Sequence, residues 1–131
     1  MTNTEVCEAL FAAFESGDQD RARALCAPDL KARQNNGPAM NLDSLLGLSA
    51  MIVGAVKNFR YEDAKRSATD TGFVEEHSVR ATLPDGSALD MRVCVVADVV
   101  DGKVQNLREY LDTAAAASLI EALSLVSPPS P

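Results

Sequence analysis

The sequence predicts an α+β domain in which a long, curved antiparallel sheet cups an apolar pocket, and three observations carry that expectation. Apolar residues recur at helical spacing in the first part of the chain. After Asn58 the pattern changes to period two. That second part is cut by Asp70-Thr71-Gly72, Pro84-Asp85-Gly86 and Asp101-Gly102, whose Asp and Gly residues suit turn conformations that β-branched residues resist. Helices first and a meandering sheet afterwards is an α+β layout.

From Glu5 to Glu15, the residues Val6, Leu10, Ala13 and Phe14 form one helical stripe, and Gly17 supplies the stop. Asp18 caps a second, short helix through about Cys26, ended by Pro28. Leu30 to Gln34 alternates, with Leu30, Ala32 and Gln34 on one side and Lys31 and Arg33 on the other, which reads as a short strand. Asn35-Asn36-Gly37-Pro38 is loop chemistry. Asn41 or Asp43 then caps a third helix with a stripe of Leu42, Leu45, Leu46, Ser49, Ile52 and Val53, terminating near Gly54. The three turns divide the region after Asn58 into four strands; the clearest hairpin runs from Met91 to Val100 and returns from Lys103 to Leu111. Thr113 begins a last helix through Leu123. Residues 1–126 are expected to form a single domain and 127–131, rich in Pro and Ser, a disordered tail.

A chain of 131 residues has room for one core. With 47% apolar and 24% charged residues its composition is that of a globular protein. The net charge of −7 repels phosphate backbones and anionic membranes, so neither nucleic acid nor a membrane is an expected partner. No basic leader or spanning apolar run is present, and a cytoplasmic location is expected. Cys7, Cys26 and Cys94 are odd in number and widely spaced, which reads as free thiols rather than a disulfide framework or a zinc site. One histidine and scattered carboxylates lack metal-ligand spacing, and no phosphate loop or nucleophile elbow is present; no cofactor is expected.

The order of elements, with the Phe14-Glu15-Ser16-Gly17-Asp18 corner, Ala27-Pro28-Asp29, and the closing stretch from Asp101-Gly102-Lys103-Val104 to Arg108-Glu109-Tyr110-Leu111-Asp112, resembles the nuclear transport factor 2-like superfamily and most nearly its SnoaL-like branch. The resemblance implies a cone-shaped, cystatin-like domain whose mixed, mostly antiparallel sheet packs on three N-terminal helices around a pocket. It also implies a homodimer joined through the sheet. Isomerases, epoxide hydrolases and polyketide cyclases share this fold, but fold alone does not carry function. The isomerase base aligns with Gln34, its oxyanion-hole tyrosine near Leu10 and its second carboxylate near Cys94 or Val95. The water-activating set of limonene epoxide hydrolase aligns with Ser78, Glu76 and Glu109, and its water-binding pair with Gln34 and Ala32. Of these, only Glu109 and Gln34 keep comparable chemistry.

Independently of any family, Leu107, Glu109 and Leu111 share one face of the last strand, which sets a carboxylate between two leucines. Desolvation there raises its pKa toward the range of a general acid or base. Gln34 ends the apolar side of the first strand and is placed to orient a water or a ligand carbonyl. On the strand around residues 73–83, alternation of Phe73, Val79, Ala81 and Leu83 turns Glu75 and His77 inward, whereas the family alignment turns Glu76, Ser78 and Arg80 inward. Both remain open at this point. The candidate catalytic residues are Glu109 and His77. The candidate ligand contacts are Gln34, Glu76, Arg80, Leu10, Phe14, Met91, Val93 and Leu111. The expected ligand is a small apolar molecule. Three readings stand: an isomerase, cyclase or hydrolase acting by acid–base chemistry on a carbonyl- or epoxide-bearing compound; a non-catalytic binding module for a hydrophobic metabolite; or a dimerisation domain, suggested by the apolar residues on both faces of Val93 to Val100.

Overall fold

In the computed structural model, which describes residues 1–126, the chain opens with helix α1 (Asn3–Ser16). Thr2 and Glu5 form a capping box at its start, and Gly17 closes it in the left-handed conformation at φ 72°, which costs a glycine least. Asp18 accepts from the Arg21 N–H and so caps α2 (Gln19–Ala24). The strand β1 then runs Cys26–Gln34, four residues earlier than the alternation from Leu30 predicts. Pro28 therefore lies inside a strand and does not end a helix. It is tolerated because β1 is an edge strand whose register with its neighbour shifts between Cys26 and Lys31, where a missing N–H breaks no regular ladder. Asn41 caps α3 (Leu42–Ala55) by accepting from the Ser44 N–H.

The strands β2 (Lys57–Ala68), β3 (Gly72–Thr82), β4 (Ala88–Val100) and β5 (Lys103–Leu111) follow as antiparallel neighbours, and β1 pairs with β5 in parallel. The sheet order is β1-β5-β4-β3-β2. Two register shifts along β2 coincide with left-handed backbone at Asn58 and Asp63, so this edge strand is bulged and bent, which curves the sheet. The helix α4 (Thr113–Val126) packs back against β4 and α3. Residues 127–131, the expected tail, lie outside the described residues. No helix among the described residues is long and apolar enough to cross a membrane.

One face of the sheet carries Phe73, Val79 and Ala81 from β3, Leu89 to Ala97 in alternation from β4, and Leu107 from β5. Together with Val6, Leu10, Phe11 and Phe14 of α1 these form the core. Each fully buried large side chain contributes about 1.5–3 kcal/mol by leaving water. The core fills the end of the cup beneath α1, and the other end stays open as a cavity between the sheet, α3 and α4.

Candidate functional site

The cavity, of about 220 Å³, exceeds the roughly 150 Å³ that admits a benzene ring. Its walls are apolar: Leu45, Leu48 and Ile52 from α3, Ala116, Leu119, Ile120 and Leu123 from α4, and Val79, Met91, Val93 and Leu111 from the sheet. Five polar side chains interrupt them, namely Gln34, Ser49, Tyr61, His77 and Glu109, and no Lys or Arg lines the cavity among the described residues.

Glu109 is positioned by the regular pleat of β5, which puts Leu107, Glu109 and Leu111 on the inner face as the sequence predicts. It stands opposite Gln34 of β1 and Val95 of β4. Gln34 Nε2 donates to Glu109 Oε2 at 3.3 Å. The end of β1 is held there because Asn35, with φ 48°, exchanges two hydrogen bonds with the Leu111 backbone and donates its own N–H to Glu109 O. Burial pushes the Glu109 carboxyl above the ordinary glutamate range, against the opposing pulls of the Gln34 hydrogen bond and nearby His77.

His77 enters from β3, opposite Val93. It is 2% exposed and wedged between Phe11 and Tyr61, with ring centroids at 4.8 and 4.6 Å. Its Nδ1 lies 2.6 Å from Glu75 Oε2. Glu75, 1% exposed and two residues along the same strand, also accepts from Arg66 Nε at 2.8 Å and from the Cys7 thiol at 3.6 Å. Burial raises the Glu75 carboxyl, but the hydrogen bonds from His77 and Arg66 outweigh it and hold Glu75 below its ordinary range. The Cys7 thiol is pushed up to about 12 by burial and by the adjacent Glu75 charge.

The structure thus settles the two alternatives for β3 in favour of hydrophobic alternation: Phe73, Glu75, His77, Val79 and Ala81 face inward. Glu76 and Arg80, expected among the ligand contacts, are on the opposite face. Glu76 is exposed, and Arg80 bonds Asp63 and Asp90 in an outer-face ion cluster. Leu10 is fully buried in the core and does not reach the cavity, which Phe14, Met91, Val93 and Leu111 do line. Sequence reasoning did not single out Tyr61. The alternation Phe59-Arg60-Tyr61 at the start of β2 is the signal that would have found it, since Phe59 and Tyr61 both line the cavity. The Tyr61 hydroxyl is pushed well above the ordinary tyrosine range, by burial first and then by Glu109, Glu15 and Glu75, so it stays a donor. Among the described residues no cluster of His, Cys, Asp or Glu is arranged to hold a metal ion.

The SnoaL-like domain family matches residues 7–107. The chain belongs to this family. Solved structures share its fold at low identity. One is a candidate polyketide cyclase from Xanthomonas campestris pv. campestris, with 21% identity over 89% of this chain and 96% of the other and a TM-score of 0.79. An epoxide hydrolase from M. tuberculosis, of the kind resembling limonene epoxide hydrolase, has 19% identity over 95% and 93% and a TM-score of 0.72. PrhC from Penicillium brasilianum NBRC 6234 has 13% identity over 94% and 88% and a TM-score of 0.80. No curated protein matches the sequence. At such identities these likenesses speak for the fold alone.

Proposed function

We propose that this SnoaL-like chain is an enzyme acting by general acid–base chemistry on a small, neutral, mostly apolar compound bearing a carbonyl or epoxide oxygen. The observation that carries the proposal is that a carboxyl group and an imidazole, Glu109 and His77, line the same apolar cavity. Glu109 on β5 and His77 on β3 are separated by β4 and offset by two residues along it, since His77 pairs with Val93 and Glu109 with Val95. With strands about 4.8 Å apart and a two-residue step of about 7 Å along them, the two backbones stand roughly 12 Å from each other, enough for a small ring between the side chains.

The chemistry follows from what each group can do. Glu109, whose protonated form burial favours, donates a proton or hydrogen bond to the ligand oxygen, and Gln34 holds its carboxyl in place. The Tyr61 hydroxyl is a second donor in the same cavity. His77 takes the proton that leaves the substrate carbon, or a water that opens an epoxide. In an isomerisation or cyclisation that proton returns to another atom of the product and Glu109 recovers its own as the carbonyl re-forms; after epoxide opening His77 gives its proton to solvent and Glu109 takes one up, so the protein ends each cycle unchanged.

The test uses two simple probes. In deuterated buffer, 2-cyclohexenone is followed by NMR for exchange of its acidic hydrogens, and cyclohexene oxide is followed for ring opening. Turnover of either probe, with a loss of about 10²-fold or more in both Glu109→Gln and His77→Gln, is the expected result. Rates at the buffer background for both probes would overturn the proposal. The apolar lining suits a carrier or sensor as well, and a hydrophobic compound retained through purification and unchanged after long incubation would mark that reading.

A further inference from the structure

We infer that Glu75, clamped by Arg66, is a positioning residue that fixes the tautomer of His77 and so decides which ring nitrogen works in the cavity. The inference rests on the acid–base reading of the site but is measured without substrate.

Glu75 is almost fully buried, a place where an ionised carboxylate is costly unless its partners require it. Its two oxygens divide the work. Oε1 accepts from Arg66 Nε and the Cys7 thiol, while Oε2 is given to His77 Nδ1 alone, at 2.6 Å. An ionised carboxylate only accepts, so the proton in that short contact belongs to Nδ1. The lone pair of a neutral ring is then on Nε2. No other hydrogen-bond partner of the ring is found among the described residues, and none of its nitrogens is buried without a partner, so Nε2 is the atom open to the cavity. Phe11 and Tyr61, packed edge-on and tilted against the ring, prevent it from turning over.

Arg66 completes the device. Lying a third exposed at the rim, with Glu8 at 3.8 Å beyond it, it supplies the positive charge that a buried carboxylate requires. With that charge met by a guanidinium, the imidazole need not be charged to keep Glu75 ionised, and it remains free to act as a base. Without Arg66 the ring itself would be the nearest cation. The arrangement thus separates two jobs that a bare carboxylate–histidine pair must share: neutralising the carboxylate and accepting the substrate proton.

His77 is the only histidine in the chain, so its ring nitrogens give isolated signals. In protein labelled with 15N, the wild type at pH 7.5 is expected to show a protonated Nδ1 and an unprotonated Nε2. A ring that is mainly Nε2–H, or mainly doubly protonated, overturns the inference. Glu75→Gln, whose amide both donates and accepts, is expected to lower the Nδ1–H to Nε2–H ratio by about tenfold or more. An unchanged ratio in the folded variant overturns Glu75 as its cause. The wild-type measurement decides the tautomer even where Glu75→Gln does not fold. A structural role alone would cost stability and leave the ratio where it was. Failure of both probe reactions with the expected tautomer present counts against the enzyme reading and not against this one.

Discussion

Glu109 and Glu75 lie on either side of β4, each paired with Val95, and are driven in opposite directions by their surroundings, with opposite consequences for stability. Glu109 has a raised native pKa, so the fold favours its protonated form. Its contribution is full below the ordinary glutamate value of about 4.3 and is lost as pH rises through the raised native value. Glu109→Gln is therefore expected to be more stable than the parent at pH 8, by about 1 kcal/mol, with the gain vanishing near pH 4. Thermal melts across that range measure it, and equal melting at both ends would contradict it. Glu75 has a lowered native pKa, so its contribution is present above the ordinary value and lost as pH falls through the native one. Glu75→Gln removes the charge and one of the two acceptor oxygens that Arg66 and His77 share, and is expected to cost about 3 kcal/mol in urea denaturation at pH 7, the low end for a buried pair because Arg66 is partly exposed.

Among the elements, the β3–β4 pairing has least tolerance. Gly72 opens β3 directly opposite Asp98, and a Cβ there would meet Ala97 O at 1.9 Å, a backbone atom that cannot move aside. Gly72→Ala is expected to cost about 3 kcal/mol or prevent folding, whereas Gly17→Ala, which is free of contacts but keeps φ 72°, should cost about 1–2 kcal/mol. Melting temperatures of the two variants decide the order. Element type and sequence order were legible because strong periodicities coincide with caps and turns: Asn41 before α3, Gly17 after α1, and Asp101-Gly102 between β4 and β5. The start of β1 was not legible, because Cys26 pairs with Val104 of β5, far along the chain, while Pro28 locally signals a break. In the site, the inward set of β3 could be read from Phe73 and Val79. The rim of the cavity could not: Leu48, Ile120 and Leu123 are ordinary apolar helix positions, and only tertiary packing gathers them.

For the molecule as a whole, the acidic balance and the cavity agree. A net charge of −7 and an apolar lining free of cations among the described residues set an electrostatic penalty against anionic ligands. Cyclohexanone at about a hundred times its dissociation constant is expected to stabilise the fold by about 2.7 kcal/mol, and cyclohexanecarboxylate at the same concentration to leave it unchanged. Differential scanning fluorimetry with both compounds tests this, and equal stabilisation by the carboxylate would refute it. The placement of the reacting groups on strands also shapes how such a site descends. Only Glu76 separates Glu75 from His77, so the proposed base and the carboxylate proposed to orient it share one strand, while Glu109 arrives on β5. A recombinant that borrows β3 from another family member loses or gains the histidine and its partner together and keeps the acid. On the proposed reading, the histidine with its carboxylate and the acid would pass between sequences as separate units.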